Sequence, residues 1–167
     1  HFMSLPTAIA MGDNGFFATC PGVYDANHNG GDPFTGPSLW SADTSIYADV
    51  VYGPLGSHFD MLHVNPNSQG IAHDRWNRYW VVDGFNGDIV MNDFTVDHGP
   101  GNDYHGNAVI RRYAEFTITK DPNDHIVSHD VLDRSTGQLY VVDHGGQRVV
   151  RLDTRSGSVS GPGTYGP

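Results

Sequence analysis

The stretch Trp80-Val81-Val82-Asp83 returns further along the chain as Tyr140-Val141-Val142-Asp143. A Gly-rich turn follows each copy, and an apolar pair comes next, Ile89-Val90 after the first and Val149-Val150 after the second. An apolar segment that ends in Asp precedes each copy. Short apolar strands separated by Gly, Asn and Asp turns are typical of the antiparallel strands in a β-propeller blade. Each copy therefore predicts three strands of one blade.

A fainter third copy lies near the N-terminus. Ile9-Ala10 corresponds to Ile71-Ala72, and Phe16-Phe17 corresponds to Tyr79-Trp80. Asp13-Asn14-Gly15 supplies the turn between them. Closed propellers typically have about four to eight blades. The sequence therefore predicts an all-β chain of about three β-propeller blades, either an incomplete ring or part of a six-bladed assembly.

The whole chain, residues 1–167, is predicted to be a single portion of such a propeller. The copies are spaced more widely than the roughly 40–50 residues of common blades, and the excess lies in two insertions. A segment rich in Gly, Ser and Pro follows the last copy and is predicted to be a flexible tail. The predicted blade frames cover about 5–20, 58–94 and 108–155, the insertions about 21–57 and 95–107, and the tail 156–167.

Composition narrows the range of partners and locations. The net charge of -10 argues against nucleic acid, since a phosphate-binding surface needs Lys and Arg. No apolar run approaches the roughly 18–20 residues of a membrane helix, so no membrane association is expected. A single cysteine, Cys20, excludes an internal disulfide. The first residue, His1, suits a processed protein or a fragment, and we expect a secreted or periplasmic location.

The pattern Gly-Ile-Ala-x-Asp, turn, Tyr/Trp-Val-Val-Asp, Gly turn, Val-Val-x-Leu-Asp resembles the repeats of NHL-type β-propellers. It covers residues 70–94 and 128–154, and more loosely 6–20. The resemblance implies a propeller fold and a family that includes both enzymes and scaffolds for protein or RNA. It also implies further blades, contributed by another chain or by a missing segment.

A more distant resemblance is to the peptidyl-hydroxyglycine lyase propeller of peptide-amidating enzymes. Those propellers hold zinc in the central channel through His residues at blade entrances, with calcium nearby. The nearest candidate ligand is His129, one residue out of register, because Ser128 takes the corresponding place. Gln69 and Thr7 take it in the other two copies. The resemblance therefore implies the fold, and the lyase's activity does not follow from it.

The densest group of metal-ligand residue types is His58, Asp60 and His63. On a strand, His58 and Asp60 share a face while His63 points away, but in a turn all three can converge. Two imidazoles and a carboxylate suit zinc or copper. The alternative is a set of blade-edge polar residues bonded to the backbone.

The second insertion carries His98 and His105, with Asp97 and Asp103, around a Gly-Pro-Gly turn. A long Gly-rich loop that leaves a blade can fold back over it. We expect it to complete a metal site with His58 and His63, unless it is simply a solvated loop.

A third group, Asp25, Asn27 and Asn29, precedes Gly30 in the first insertion. Oxygen ligands at alternate positions before a Gly match the first half of a calcium loop. The closing Glu is missing, because Gly36 stands in its place. A plain turn is the alternative.

Two functions follow as expectations. The first is a secreted metal-binding propeller, with a metal-dependent lyase or hydrolase activity as the enzymatic version. The second is a non-catalytic propeller that binds a protein or glycan through the aromatic residues of its insertions. Those aromatic residues are Tyr24, Phe34, Trp40, Tyr47 and Tyr104.

Overall fold

A computed structural model describes residues 6–21, 35–47, 56–63, 65–102, 104–113 and 116–158. The described chain consists of β-strands with one short helix, so the predicted all-β class is confirmed. Among the described helices, none has the length and apolar character needed to cross a membrane. The elements are β1 Ala8–Met11, β2 Phe16–Cys20, β3 Thr35–Ser41, α1 Thr44–Tyr47, β4 Asp60–His63, β5 Ile71–Arg75, β6 Arg78–Val82, β7 Ile89–Asp93, β8 Val109–Tyr113, β9 Asp130–Asp133, β10 Gln138–Asp143 and β11 Arg148–Asp153.

These strands form three antiparallel sheets in which each strand pairs with the next along the chain. The first sheet has the order β1-β2-β3-β4, the second β5-β6-β7-β8, and the third β9-β10-β11. The first strand of each sheet lies against the first strand of the next, since β5 contacts both β1 and β9. Within the described parts of the chain, each of these sheets stays open at its edges. Three blade-like sheets stacked in sequence are the predicted architecture, but their bounds differ from the predicted frames. Strand β4, inside the predicted frame 58–94, pairs in the first sheet, and β8, inside the predicted frame 108–155, pairs in the second, because each sheet takes its fourth strand from the segment that precedes the next repeat.

Strand β6 explains why the stack is stable. Tyr79 and Val81 point into the core between the first and second sheets, and Trp80 and Val82 point into the core between the second and third. Successive side chains of a strand point to opposite faces, so a strand buried on both faces needs an unbroken apolar run. Burial of each such side chain contributes about 1.5–3 kcal/mol.

The aspartates that end the repeated stretch hold the turns that follow. Asp83 Oδ1 accepts hydrogen bonds from the backbone N–H groups of Phe85 and Asn86, each at 2.9 Å. Asp143 Oδ1 accepts them from Gly146 at 3.0 Å and from Thr119 at 2.8 Å. The repeated Asp therefore serves the fold by satisfying backbone donors at a blade turn.

Strand β3 and helix α1 lie within the residues predicted as the first insertion, and β3 forms part of the first sheet. The predicted tail lies outside the described residues from position 159 onward.

Candidate functional site

The start of β4 and the loop between β7 and β8 meet at one edge of the first sheet. Asp60 opens β4 and pairs with Leu39 of β3. The loop, residues 94–108, folds onto this point, where the backbone N–H of Gly101 donates a hydrogen bond to the His58 carbonyl at 2.9 Å. Two residues that are distant in sequence, His98 and His105, are thereby brought to Asp60.

Asp60 is the centre of this cluster and is only 1% exposed. Its Oδ2 lies 3.6 Å from Nδ1 of His98, and its Oδ1 lies 3.6 Å from Nδ1 of His105. Oδ1 also accepts a hydrogen bond from the Met61 N–H at 2.8 Å. Among the described residues, Oδ2 and the facing Nδ1 of His98 are buried without a hydrogen-bond partner. One buried carboxylate therefore has an imidazole nitrogen opposite each oxygen.

His63, at the other end of β4, belongs to the same cluster. Its ring lies edge-on to that of His105, with 4.8 Å between the ring centroids. Burial and the neighbouring His105 together lower the pKa of His63 to about 4. Desolvation disfavours the imidazolium form, and a second imidazole adds repulsion when charged. His63 is therefore neutral at physiological pH, which is the form that ligates metals.

His58 contributes in a different way. Its ring lies against Trp40, with 6.0 Å between the ring centroids in an edge-to-face arrangement. Its carbonyl accepts the hydrogen bond that anchors the loop. The structure thus shows His58 fixing the loop through its backbone and packing its ring on an aromatic neighbour.

Of the remaining predicted ligands, His129 is the one that lies among the described residues, and it is not part of the cluster. His129 is exposed and precedes β9, where its carbonyl accepts a hydrogen bond from the Val142 N–H at 2.8 Å. The calcium-loop candidates Asp25, Asn27 and Asn29 lie outside the described residues.

The side chains of the cluster lie close to the positions that metal ligands take, but they are slightly too far apart. As the described residues stand, no group of three or more His, Cys, Asp or Glu side chains could hold a metal ion. In tetrahedral zinc sites, bonds of about 2.0–2.1 Å place neighbouring ligand atoms about 3.3 Å apart. The two carboxylate–imidazole separations of 3.6 Å exceed this by a few tenths of an ångström. To bind an ion, these side chains would need to move closer together by only a few tenths of an ångström.

A second buried carboxyl, Asp130, was not among the predicted site residues. Both of its oxygens are buried without a hydrogen-bond partner among the described residues. Burial raises its pKa well above the ordinary value, because the charged form loses its solvation. It lies beside Gly70, where any larger side chain would clash with the carboxyl. Only the structure reveals this, since nothing in the sequence distinguishes Asp130 from a turn aspartate.

Cys20 lies in the same region and is chemically protected. Its thiol is buried and donates to the Gly70 carbonyl at 3.4 Å. Burial raises the pKa of this thiol, so the reactive thiolate is disfavoured. Cys20 is therefore a core residue and contributes neither a nucleophile nor a soft metal ligand.

No protein-family model matches the chain, and no curated protein matches it.

Proposed function

We propose that this protein binds a divalent transition metal, zinc or copper, between Asp60, His98 and His105, with His63 as a further ligand. The observation that carries the proposal is the buried Asp60 carboxylate, which has an imidazole Nδ1 at 3.6 Å from each of its oxygens.

A cation explains this geometry better than direct hydrogen bonding does. Buried charges in proteins are paired or coordinate metals, because an unsatisfied buried carboxylate is costly. The separation between Asp60 Oδ2 and His98 Nδ1 is too long for a hydrogen bond. Both atoms lack such a partner among the described residues. An ion between them would satisfy both.

The ligand types determine which metal is proposed. Imidazole nitrogens with one carboxylate suit zinc and copper, whereas calcium prefers oxygen ligands alone. The side chains of His98 and His105 are 15% and 19% exposed, so solvent reaches the edge of the site. A metal with an open position there would activate water or polarise a carbonyl, which is the chemistry of the lyase or hydrolase version of this proposal.

The scaffold we propose is an NHL-like propeller completed by further blades, from another chain or from additional sequence. What supports it is the third sheet, whose far face carries apolar residues at positions that are covered in the second sheet. The alternative function, a non-catalytic scaffold for a protein or glycan, has weaker support. Trp40 is buried in the core, and only Tyr47 and Tyr104 of the described candidate contacts are exposed.

Metal titration tests the proposal. Protein stripped with a chelator would be titrated calorimetrically with zinc, copper and calcium salts. We expect about one zinc or copper ion per chain and no comparable calcium binding. Asp60→Asn and His98→Ala should each weaken zinc binding by at least about 10- to 100-fold, which is the loss typical when only an outer-shell partner of a metal ligand is removed. His144→Ala is the matched control, because His144 is exposed in the turn between β10 and β11.

The result that would overturn the proposal is stripped, folded protein that takes up neither zinc nor copper. Equal losses in His98→Ala and His144→Ala would overturn the assignment of the site. Far-ultraviolet circular dichroism of each variant verifies that the sheets remain folded.

A further inference from the structure

A cleft of about 400 Å³ lies between the second and third sheets, away from the histidine cluster. Its size falls within the range of small-molecule sites, roughly 300–1,000 Å³. Its walls come from both repeats, since strands β5–β8 form one side and the turns around β9–β11 form the other. None of the residues that line it belongs to the proposed metal site.

The lining of this cleft is strongly basic in an acidic protein. The chain has a net charge of -10, yet most of its arginines converge on this one place. Such a concentration creates a local positive potential that the overall charge conceals. The arginines that line the cleft are Arg75, Arg78, Arg111, Arg134 and Arg155.

Nearby carboxylates neutralise part of this charge. Arg78 donates two hydrogen bonds to Asp93 Oδ2, at 3.0 and 2.8 Å, and lies 3.9 Å from Asp74. Arg134 lies 3.5 Å from Asp13. The neutralisation of these two arginines leaves the charge of the cleft to be judged from the others that line it.

Two of the arginines keep their charge available for a ligand. Arg155 donates to the backbone carbonyl of Ser135 at 3.2 Å, and a carbonyl does not neutralise a guanidinium. Arg75 is exposed at the end of β5, and within the described part of the chain it has no ion pair. An incoming anion would meet both without displacing a carboxylate.

Apolar and aromatic side chains form another part of the lining. Trp80 and Tyr113 line the cleft with 5.5 Å between their ring centroids, and Met91 and Leu132 lie alongside. The indole Nε1 of Trp80 is buried and has no hydrogen-bond partner among the described residues. A buried indole N–H normally finds an acceptor. The cleft therefore combines cationic groups with ring surfaces.

We propose that this cleft binds a small organic oxyanion, a carboxylate or phosphate carried on a ring. Guanidinium groups bind both oxyanions through charge-assisted hydrogen bonds. The ring would pack against Trp80 and Tyr113, which supply the apolar area. This site is independent of the proposed metal site, so either proposal stands if the other fails.

Phenyl phosphate and benzoate are the probes, with benzyl alcohol as the uncharged comparison. Binding would be followed by NMR through the indole N–H signal of Trp80, assigned with the variant Trp80→Phe. We expect at least one of the two anions to produce a saturable shift at millimolar concentration, strengthened at low salt. Benzyl alcohol should give none. The two anions separate a phosphate ligand from a carboxylate ligand.

The double variant Arg75→Gln with Arg155→Gln should weaken binding of the stronger probe by about tenfold, as for two exposed ion pairs. Arg151→Gln is the matched control, since Arg151 is exposed on β11 and does not line the cleft. The proposal is overturned if neither anion saturates the Trp80 signal. It is also overturned if Arg151→Gln alone weakens binding as much as the double variant.

Discussion

The second and third sheets carry the same repeat, yet they bury it differently. Trp80 is 4% exposed and its counterpart Tyr140 is 40% exposed. Ile89 is fully buried in the second sheet, whereas Val149, at the same register, is 66% exposed. The second sheet packs against a sheet on each side, but among the described residues the third packs on one side only. The same strand pattern therefore yields a buried or an exposed face according to the neighbour that covers it.

The other end of the stack, on the first sheet, also has an exposed apolar face. On β1 of the first sheet, Ile9 and Met11 are exposed on the face that points away from the second sheet. Both ends of the three-sheet stack thus present aliphatic residues to solvent. Large exposed apolar patches mark interaction sites in soluble proteins. These two faces are where the further blades that we propose would pack.

The largest expected effect comes from truncating the aromatic residue at the equivalent position of each sheet, Trp80 in the second and Tyr140 in the third. Trp80→Ala should lower the free energy of unfolding by about 3–5 kcal/mol, because it leaves a cavity between two packed sheets. Tyr140→Ala should cost about 1 kcal/mol or less, because its side chain is already half in solvent. Urea unfolding followed by circular dichroism measures both.

Val141→Ala controls for strand effects in the third sheet, since Val141 is fully buried and faces the second sheet. It should be clearly destabilising, unlike Tyr140→Ala. If Tyr140→Ala proves as costly as Trp80→Ala, then the far face of the third sheet is covered in solution, and the contrast between the two sheets disappears.

A second, smaller effect concerns Ile71 and Asp130, which occupy equivalent positions in the second and third sheets. Ile71 pairs with Val81 in the second sheet, and Asp130 pairs with the equivalent Val141 in the third. Both side chains are buried, but Asp130 carries a carboxyl whose pKa is raised by burial. The third sheet thus has an ionisable group where the second has a hydrocarbon.

The folded protein holds the Asp130 proton at pH values where the unfolded chain, with a pKa of about 3.9, has already lost it. Stability is therefore highest below that pKa and falls as pH rises through the raised folded value. Asp130→Asn should remove this decline and stabilise the protein at neutral pH, because the amide cannot ionise. Unfolding curves recorded from acidic to neutral pH measure it. A variant whose pH dependence matches that of the native protein would show that Asp130 is ionised when folded.

Much of the fold follows from local pattern. The Trp80-Val81-Val82-Asp83 stretch predicts a strand and its turn because both depend on neighbouring residues, and β6 lies at that position. Strand β3, Thr35–Ser41, lacks such a repeat and contains Gly36 and Pro37. Its partners β2 and β4 are well separated from it along the sequence. Strand partners that are remote in sequence leave no local signal.

The candidate site illustrates the same limit. Residue types alone single out His58, Asp60, His63, His98 and His105. Which atoms meet is decided by the way the loop between β7 and β8 folds onto the first sheet, where Gly101 donates a hydrogen bond to the His58 carbonyl. The arginine cleft is harder still to foresee, because its residues are scattered through both repeats and the net charge has the opposite sign.

The smallest effect on stability comes from placing a charged residue on the exposed far face of the third sheet. The same substitution is the most direct test of whether that face binds a partner. Val149→Lys should change the free energy of unfolding by about 0.5 kcal/mol or less, since the side chain is exposed. If the far face of the third sheet binds the first sheet of a second copy, the native protein should sediment above its 18.2 kDa chain mass and the variant should not. Such a head-to-tail contact either closes a ring or grows a filament, and sedimentation separates a discrete dimer from a distribution of sizes. A native protein that sediments as a single chain at every concentration would exclude a second copy as the missing neighbour.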